Sequence, residues 1–108
     1  MTVKEWAEAA SLTVETEGDL QRLITGGYCG DLLSWVMGRA PADAAWFSVM
    51  GNVNAVAVAV LADIACIVLC EGAVLDQEAR IKAEQQGVTV LRTEATVYET
   101  ARQLAAQL

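Results

Sequence analysis

The sequence contains no histidine and only seven basic residues against fourteen acidic ones. Without histidine, none of its three cysteines can be activated as a nucleophile by a Cys-His pair. The net charge of −7 opposes nucleic-acid binding, because proteins hold phosphate backbones through Lys and Arg. We therefore expect no nucleic-acid partner and no cysteine-based catalysis.

Several segments with a known purpose are also missing. No phosphate-binding loop of the form G-x-x-x-x-G-K-[ST] occurs, which argues against a kinase. The first residues lack the basic and then apolar pattern of a signal peptide. The most apolar stretch, residues 55–70, contains Asp63 and falls short of the ~20 residues that a membrane-spanning helix needs. We expect neither a secretion signal nor a membrane segment.

Hydrophobic residues make up 55% of the chain and charged residues only 19%. This composition excludes a disordered chain and indicates that part of the surface is covered by a partner, so we predict a homo-oligomer, most simply a dimer. Cys29, Cys66 and Cys70 are odd in number and lie in apolar stretches, which is typical of free thiols in a reducing cytosol. A cytoplasmic single domain over residues 1–108 is the expectation.

Helix and strand patterns alternate along the chain. In the first half they predict a helix opened by a capping box at Thr2 and Glu5, strands at residues 12–16 and 20–24, a glycine turn at 25–31, and a helix capped by Asp31 that ends by Gly38. In the second half they predict strands at residues 44–50, 64–69 and 88–91, with helices at 53–62 and 76–86 between them. A closing helix is opened by a second capping box at Thr96 and Glu99. This order predicts an α/β fold with a largely parallel sheet and helices on both faces.

In such sheets, ligands bind beyond the carboxyl ends of the strands, where loops and helix N-termini converge. The glycine turn and the loops after the later strands are predicted to meet there. An anion could be held by a cradle of the backbone N–H groups of Gly26, Gly27 and Asn52, with Arg22 as the cation. Asp31 and Glu71 would repel it. The candidate ligand-binding residues are Arg22, Gly26, Gly27, Asp31, Asn52, Asn54, Glu71, Gly72 and Thr93. The same glycines could equally serve only as tight turns.

Three segments carry a resemblance to a known family: GGYCGDLLSWVM at residues 26–37, NVN at 52–54 and LADIAC at 61–66. Together they make the chain resemble a short stand-alone DRTGG-domain protein. The resemblance extends to the N-terminal domain of HPr kinases and to the DRTGG domains of phosphotransacetylases and of pyrophosphatases with CBS domains. It implies a regulatory or assembly-forming role and no catalysis.

The chain departs from the motif that names this family. The Asp-Arg pair would fall at Asn52 and Val53, and the Thr-Gly-Gly triplet at residues 70–72, where only Gly72 is kept. The loss of the arginine weakens any phosphate-binding role that the full motif would support.

These observations lead to two main hypotheses. The first is a non-enzymatic regulatory or scaffolding domain that self-associates and senses a small ligand, such as a nucleotide or another anion, at the strand-end edge. The second is a protein-interaction partner that docks a client in a signalling or redox-enzyme cluster without binding a ligand. A third, an enzyme using Asp31 and Glu71 as an acid-base pair, has less support. No catalytic residue, metal site or cofactor is predicted.

Overall fold

The computed structural model describes all 108 residues and contains five helices and five strands. In chain order these are α1 (Val3–Ala9), β1 (Thr13–Thr16), β2 (Gly26–Cys29), α2 (Leu33–Arg39), β3 (Ala44–Ser48), α3 (Val53–Ala62), β4 (Cys66–Leu69), α4 (Gln77–Gln86), β5 (Val90–Arg92) and α5 (Val97–Gln107). The alternation predicted for the second half is confirmed, and α3 has the predicted bounds.

The strands form one sheet in the order β1-β5-β4-β3-β2. β2 to β5 run parallel, and β1 lies antiparallel to β5 at one edge. The helices between successive parallel strands supply the crossover connections that such strands require. The predicted α/β fold with a largely parallel sheet is confirmed.

Helices cover both faces of the sheet. On one face, Trp6 of α1 and Leu104 of α5 pack in a cluster with Phe47 of β3. On the other face, α2, α3 and α4 pack in a second cluster that includes Trp46 and Ile67. Successive residues of β3 point into opposite layers, and all five are buried. None of the five helices combines the length and the apolar composition needed to cross a membrane.

Side-chain caps explain where four of the helices begin. Thr2 and Glu5 form the predicted reciprocal capping box of α1. The side chains of Asn52, Asp76 and Thr96 each accept a hydrogen bond from an N–H three residues further on, opening α3, α4 and α5. Only half of the second predicted box forms, because the carboxylate of Glu99 binds Arg102 instead.

Three predictions in the first half are wrong. Residues 20–24 make a turn in which only Leu23 pairs, through a single bridge to Thr2. The predicted glycine turn holds a strand, since Gly26 and Gly27 begin β2 and pair with β3. Asp31 does not cap α2, whose N-cap is Leu32 without a side-chain hydrogen bond. Glycines carry no side-chain pattern, so pairing with a distant strand decides their conformation.

Candidate functional site

The carboxyl ends of β2 to β5 meet along one edge of the sheet, here called the carboxyl edge. Six of the nine predicted ligand-binding residues lie in its loops or at the helix start beside it: Asp31, Asn52, Asn54, Glu71, Gly72 and Thr93. Arg22 and Gly26 lie at the opposite, amino edge, and Gly27 lies within β2. A four-residue strand spans about 13 Å. The predicted cradle of Gly26, Gly27 and Asn52 therefore does not form.

Asp31 is held against the end of β3 by Ser48, a fully buried residue. The Ser48 hydroxyl donates a hydrogen bond to the Asp31 carboxylate and accepts one from the Met50 N–H at 3.0 Å. Two residues earlier on β3, the Trp46 indole donates to the Gly30 carbonyl at 2.8 Å. These contacts fix the exit of β2 to the exit of β3. Ser48 lies inside an apolar run, and nothing in the sequence marks it as a site residue.

Asn52 is occupied by its role as a cap. Its side-chain oxygen accepts from the Ala55 N–H at 2.9 Å. The N–H groups of Val53 and Asn54, in the first turn of α3, have no partner within the helix. They point towards the carboxyl edge, where the positive end of the helix favours an acceptor group. This helix start is the main donor group of the edge.

The loop after β4 is fixed by hydrogen bonds to the loop after β5. Glu71 and Gly72 both have positive φ, at 56° and 71°. Their N–H groups donate to the carbonyls of Ala95 and Thr93 at 2.8 and 3.0 Å, so neither is open to an anion. The φ of Gly72 lies in the left-handed region that favours glycine, whereas a Cβ there would meet only the mobile end of the exposed Glu94 side chain.

Arg92 is a residue of this edge that the sequence analysis missed. Its guanidinium donates to the carbonyls of Gly72 and Ala73, each at 3.2 Å, and lies 3.4 Å from the carboxylate of Glu94. It therefore serves to hold the loop after β4. With Arg92 engaged and Asp31, Glu71 and Glu94 close by, the edge presents mainly acceptor groups.

Arg22, the predicted cation, joins three loops at the amino edge. Its Nε donates to the Asp43 carboxylate at 2.9 Å, and its terminal nitrogen donates to the carbonyl and carboxylate of Asp63 at 2.5 and 3.0 Å. Partial burial opposes the charged form, but the hydrogen bonds to both aspartates outweigh it and raise the pKa of Arg22. Arg22 also lines a cavity of about 130 Å³ with Gly87. Its contacts are those of a structural clamp.

The cysteines are free thiols, with Cys29 exposed and Cys66 and Cys70 buried. Burial raises the pKa of Cys66 to about 12, although the charge of Arg22 acts in the opposite direction. Burial likewise raises the pKa of Cys70, and the partial burial of the Cys29 thiol raises its pKa in the same direction. All three are protonated at neutral pH, a state in which thiols are poor nucleophiles. No three side chains of the His, Cys, Asp or Glu type converge to hold a metal ion.

The fold is that of an α/β domain with a largely parallel five-stranded sheet. It is similar in structure to the CBS and DRTGG domains of the regulatory region of Clostridium perfringens pyrophosphatase, a crystal structure in complex with its activator diadenosine tetraphosphate. The TM-score is 0.77 over 99% of this chain, at 11% sequence identity. The match confirms the resemblance to a DRTGG domain at the level of the fold.

This chain covers 47% of the length of that pyrophosphatase region. No protein-family model matches the sequence, and no curated protein is similar enough to count as a match.

Proposed function

We propose that this chain is a non-catalytic regulatory or scaffolding domain that self-associates and binds a small ligand at the carboxyl edge. The observation that carries the proposal is the likeness of 99% of the chain to a regulatory region. Further support comes from the edge itself, where the first N–H groups of α3 have no partner within the helix. The support from the fold is by analogy, since one fold can host many functions.

The groups at the carboxyl edge favour a nucleotide over a simple anion. Asp31, Glu71 and Glu94 can accept hydrogen bonds from ribose hydroxyls or a base amine, as acidic residues do at strand ends of nucleotide-binding sheets. The first N–H groups of α3 can donate to a phosphate. A divalent cation on the phosphates would offset repulsion by the carboxylates. The diadenosine tetraphosphate bound by the pyrophosphatase region belongs to the same chemical class.

Thermal unfolding with AMP, ATP and diadenosine tetraphosphate, each with and without Mg²⁺, tests ligand binding. A ligand at about 100 times its Kd should raise Tm by about 10 °C in a domain of this size. Glu71→Gln should reduce that rise, because Glu71 lies at the edge, whereas Glu84→Gln in the last turn of α4, at the amino edge, should leave it unchanged. If no nucleotide shifts Tm at millimolar concentration, the ligand part of the proposal is wrong.

The second candidate is a partner that docks a client protein without binding a ligand, and the surface of α2 favours it. Leu32, Trp35 and Met37 expose 57%, 50% and 49% of their surfaces. The Arg39 guanidinium lies 3.7 Å from the centre of the Trp35 ring, which orients the indole. An oriented, half-exposed tryptophan is a common anchor of protein interfaces.

Copurification from the native source distinguishes the two candidates. Client docking predicts that one protein copurifies with the wild-type chain and is lost with Trp35→Ser, while no nucleotide changes Tm. Ile81→Ser is the matched control, since Ile81 is similarly exposed, at 48%, on a different helix. Ligand sensing predicts the thermal shift regardless of Trp35.

A further inference from the structure

The sheet has two outermost strands, β1 and β2, which differ in how well they are protected against pairing with another strand. These two side edges of the sheet are distinct from its carboxyl and amino edges. At one edge, β1 is bulged between Val14 and Thr16, and Glu15 binds Arg80 at 2.8 Å. Bulges and charges are the usual devices that keep an edge strand from pairing. At the other edge, β2 has neither a bulge nor a charged residue nor a proline. β2 is short, and the bridge between Thr2 and Leu23 covers the edge just before it, but β2 itself carries none of these devices, so its free backbone groups can serve as a template for a further strand.

The hydrogen-bonding groups of β2 fix which residues could pair outward. The N–H group of Thr25 donates to the Asp43 carbonyl, just before β3. Because backbone groups alternate in direction along a strand, the N–H and C=O groups of Gly27 and Cys29 also point towards β3. The N–H and C=O groups of Gly26 and Tyr28 therefore point away from the sheet. The neighbouring positions are already engaged, because the Ile24 N–H donates to Met1 and the Gly30 carbonyl accepts from Trp46.

From this geometry we infer that two copies of the chain associate by antiparallel pairing of their β2 strands, with the two-fold axis at Gly27, into one ten-stranded sheet. The inference rests on the proposed self-association and names its surface. Gly26 of each copy then exchanges two hydrogen bonds with Tyr28 of the partner subunit, giving four across the axis. Only a register centred on Gly27 uses all the free groups, and that register is symmetric, as a second copy requires.

The side chains of β2 fit this pairing. A Cβ at Gly26 would have no atom within 4 Å, so the space above it is open. In the paired sheet, Tyr28 of the partner subunit lies directly across from Gly26 on the same face. Packing an aromatic ring over a cross-strand glycine is a known way to cover an edge glycine. At the axis, two Gly27 residues face each other and leave room for the helices above.

An apolar groove runs beside β2 on the α5 face and continues the same surface. It lies between the exposed Cys29 and the side of α5 that carries Ala101 and Ala105. Tyr98 and Leu108, at its rim, expose 75% and 55% of their surfaces. The two-fold axis keeps α5 of both copies on the same face of the joined sheet, so the second copy closes the groove.

Two copies joined at β2 could also pack their α5 helices together. Because α5 packs over β2 and β3, the α5 helices of two copies joined at β2 would lie about 10 Å apart, the usual distance between packed helices. The outward-facing residues of β2, α5 and α2 would form the interface, and a stable dimer needs about 800 Å² per copy. That is roughly one seventh of the 5375 Å² surface of the chain. The charged groups close by already have partners within the chain: Glu99 pairs with Arg102, Arg39 stacks on Trp35, and Asp31 accepts a hydrogen bond from Ser48.

Substitutions on the two edges test the surface by light scattering and sedimentation. Gly26→Lys fits the monomer but occupies the space for Tyr28 of the partner subunit, so the dimer should weaken at least tenfold. Thr13→Lys places the same side chain on the exposed edge of β1 and should have no effect. On α5, Ala105→Glu should weaken the dimer, whereas Ala106→Glu should not, because Ala106 faces α1.

A designed crosslink tests the register. In the paired strands Thr25 lies across from Cys29 of the partner subunit at a non-hydrogen-bonded position, about 4.5 Å apart at Cα, which a disulfide can span. Thr25→Cys should give a covalent dimer on mild oxidation, and Thr25→Cys combined with Cys29→Ser should not. Efficient crosslinking of the wild type through Cys29 alone would overturn the register centred on Gly27.

The outcomes separate the surface from self-association itself. If the wild type is a monomer at micromolar concentration, both the proposed self-association and this surface are wrong. If the wild type is a dimer that Gly26→Lys and Ala105→Glu leave intact, self-association stands and this surface is wrong. If an extended peptide but not a second copy binds at β2, the inference is also wrong. Circular dichroism of each variant shows that the fold is retained.

Discussion

At the scale of single residues, Arg22 shows how a candidate binding residue becomes a structural one. In the sequence it is the cation nearest to the glycines, where it could help to hold an anion. The structure gives it two aspartates and a carbonyl from the loops that precede β3 and β4. These partners lie 21 and 41 residues away in sequence, so no local pattern could have indicated them.

Replacing Arg22 by alanine should lower the free energy of unfolding by about 1–2 kcal/mol, measured by urea denaturation. The value is modest because Asp43 and Asp63 are partly exposed and water replaces part of the lost interaction. Arg22→Lys should recover less than half of the loss, since an ammonium group cannot reproduce the planar fork. Arg102→Ala, which removes only an exposed pair with Glu99, should cost clearly less than Arg22→Ala. Equal losses for Arg22→Ala and Arg102→Ala would contradict the clamp.

The carboxylate of Asp31 also has a hydrogen-bond partner that is distant in sequence. An aspartate before an apolar helical pattern predicts an N-cap, and the helix does begin two residues later. Its carboxylate nevertheless binds Ser48, because strand pairing brings the ends of β2 and β3 together. The candidate site residues of the carboxyl edge were predictable as loop positions, whereas their hydrogen-bond partners were not.

At the scale of elements, prediction succeeded where the signal is local. α3 has the predicted bounds, α5 begins at the predicted cap Thr96, and β3 lies within the predicted apolar strand at residues 44–50. β2 failed because its first two residues are glycines and its pairing with β3 comes from residues 18 positions away. The apolar residues at 20–24, predicted as a strand, instead form the turn against which the start of α1 packs.

The junction between β3 and α3 offers a sharp test of how elements are joined. A Cβ at Gly51 would lie 2.0 Å from the backbone carbonyl oxygen of Val74, and the Gly51 carbonyl accepts the Asp76 N–H at 2.9 Å. Gly51→Ala should therefore push two loops apart and cost about 1–3 kcal/mol of unfolding free energy. Gly38→Ala is the control, since a Cβ there meets nothing within 4 Å. Alanine in α2 should stabilise the chain by about 0.5–1 kcal/mol. A neutral Gly51→Ala would show that these loops are not in contact in solution.

At the scale of the whole molecule, the net charge of −7 and the uncharged β2 edge act in opposite directions on self-association. Two negatively charged copies repel each other within the Debye screening length, which is about 10 Å at 0.1 M salt. The β2 pairing itself consists of backbone hydrogen bonds and apolar contacts, which salt screens little. Self-association should therefore respond to salt through the overall charge and not through the interface.

Raising NaCl from about 20 to about 300 mM should accordingly tighten the dimer several-fold, measured as Kd by sedimentation. Glu78→Gln with Glu84→Gln reduces the negative charge by two on α4, which packs on α3 and β1, away from β2. This double variant should bind more tightly than the wild type at low salt and show a weaker salt dependence. A dimer that weakens as salt rises would mean that ion pairs hold the copies together. That result would exclude the β2 edge as the principal contact, because β2 carries no charged side chain.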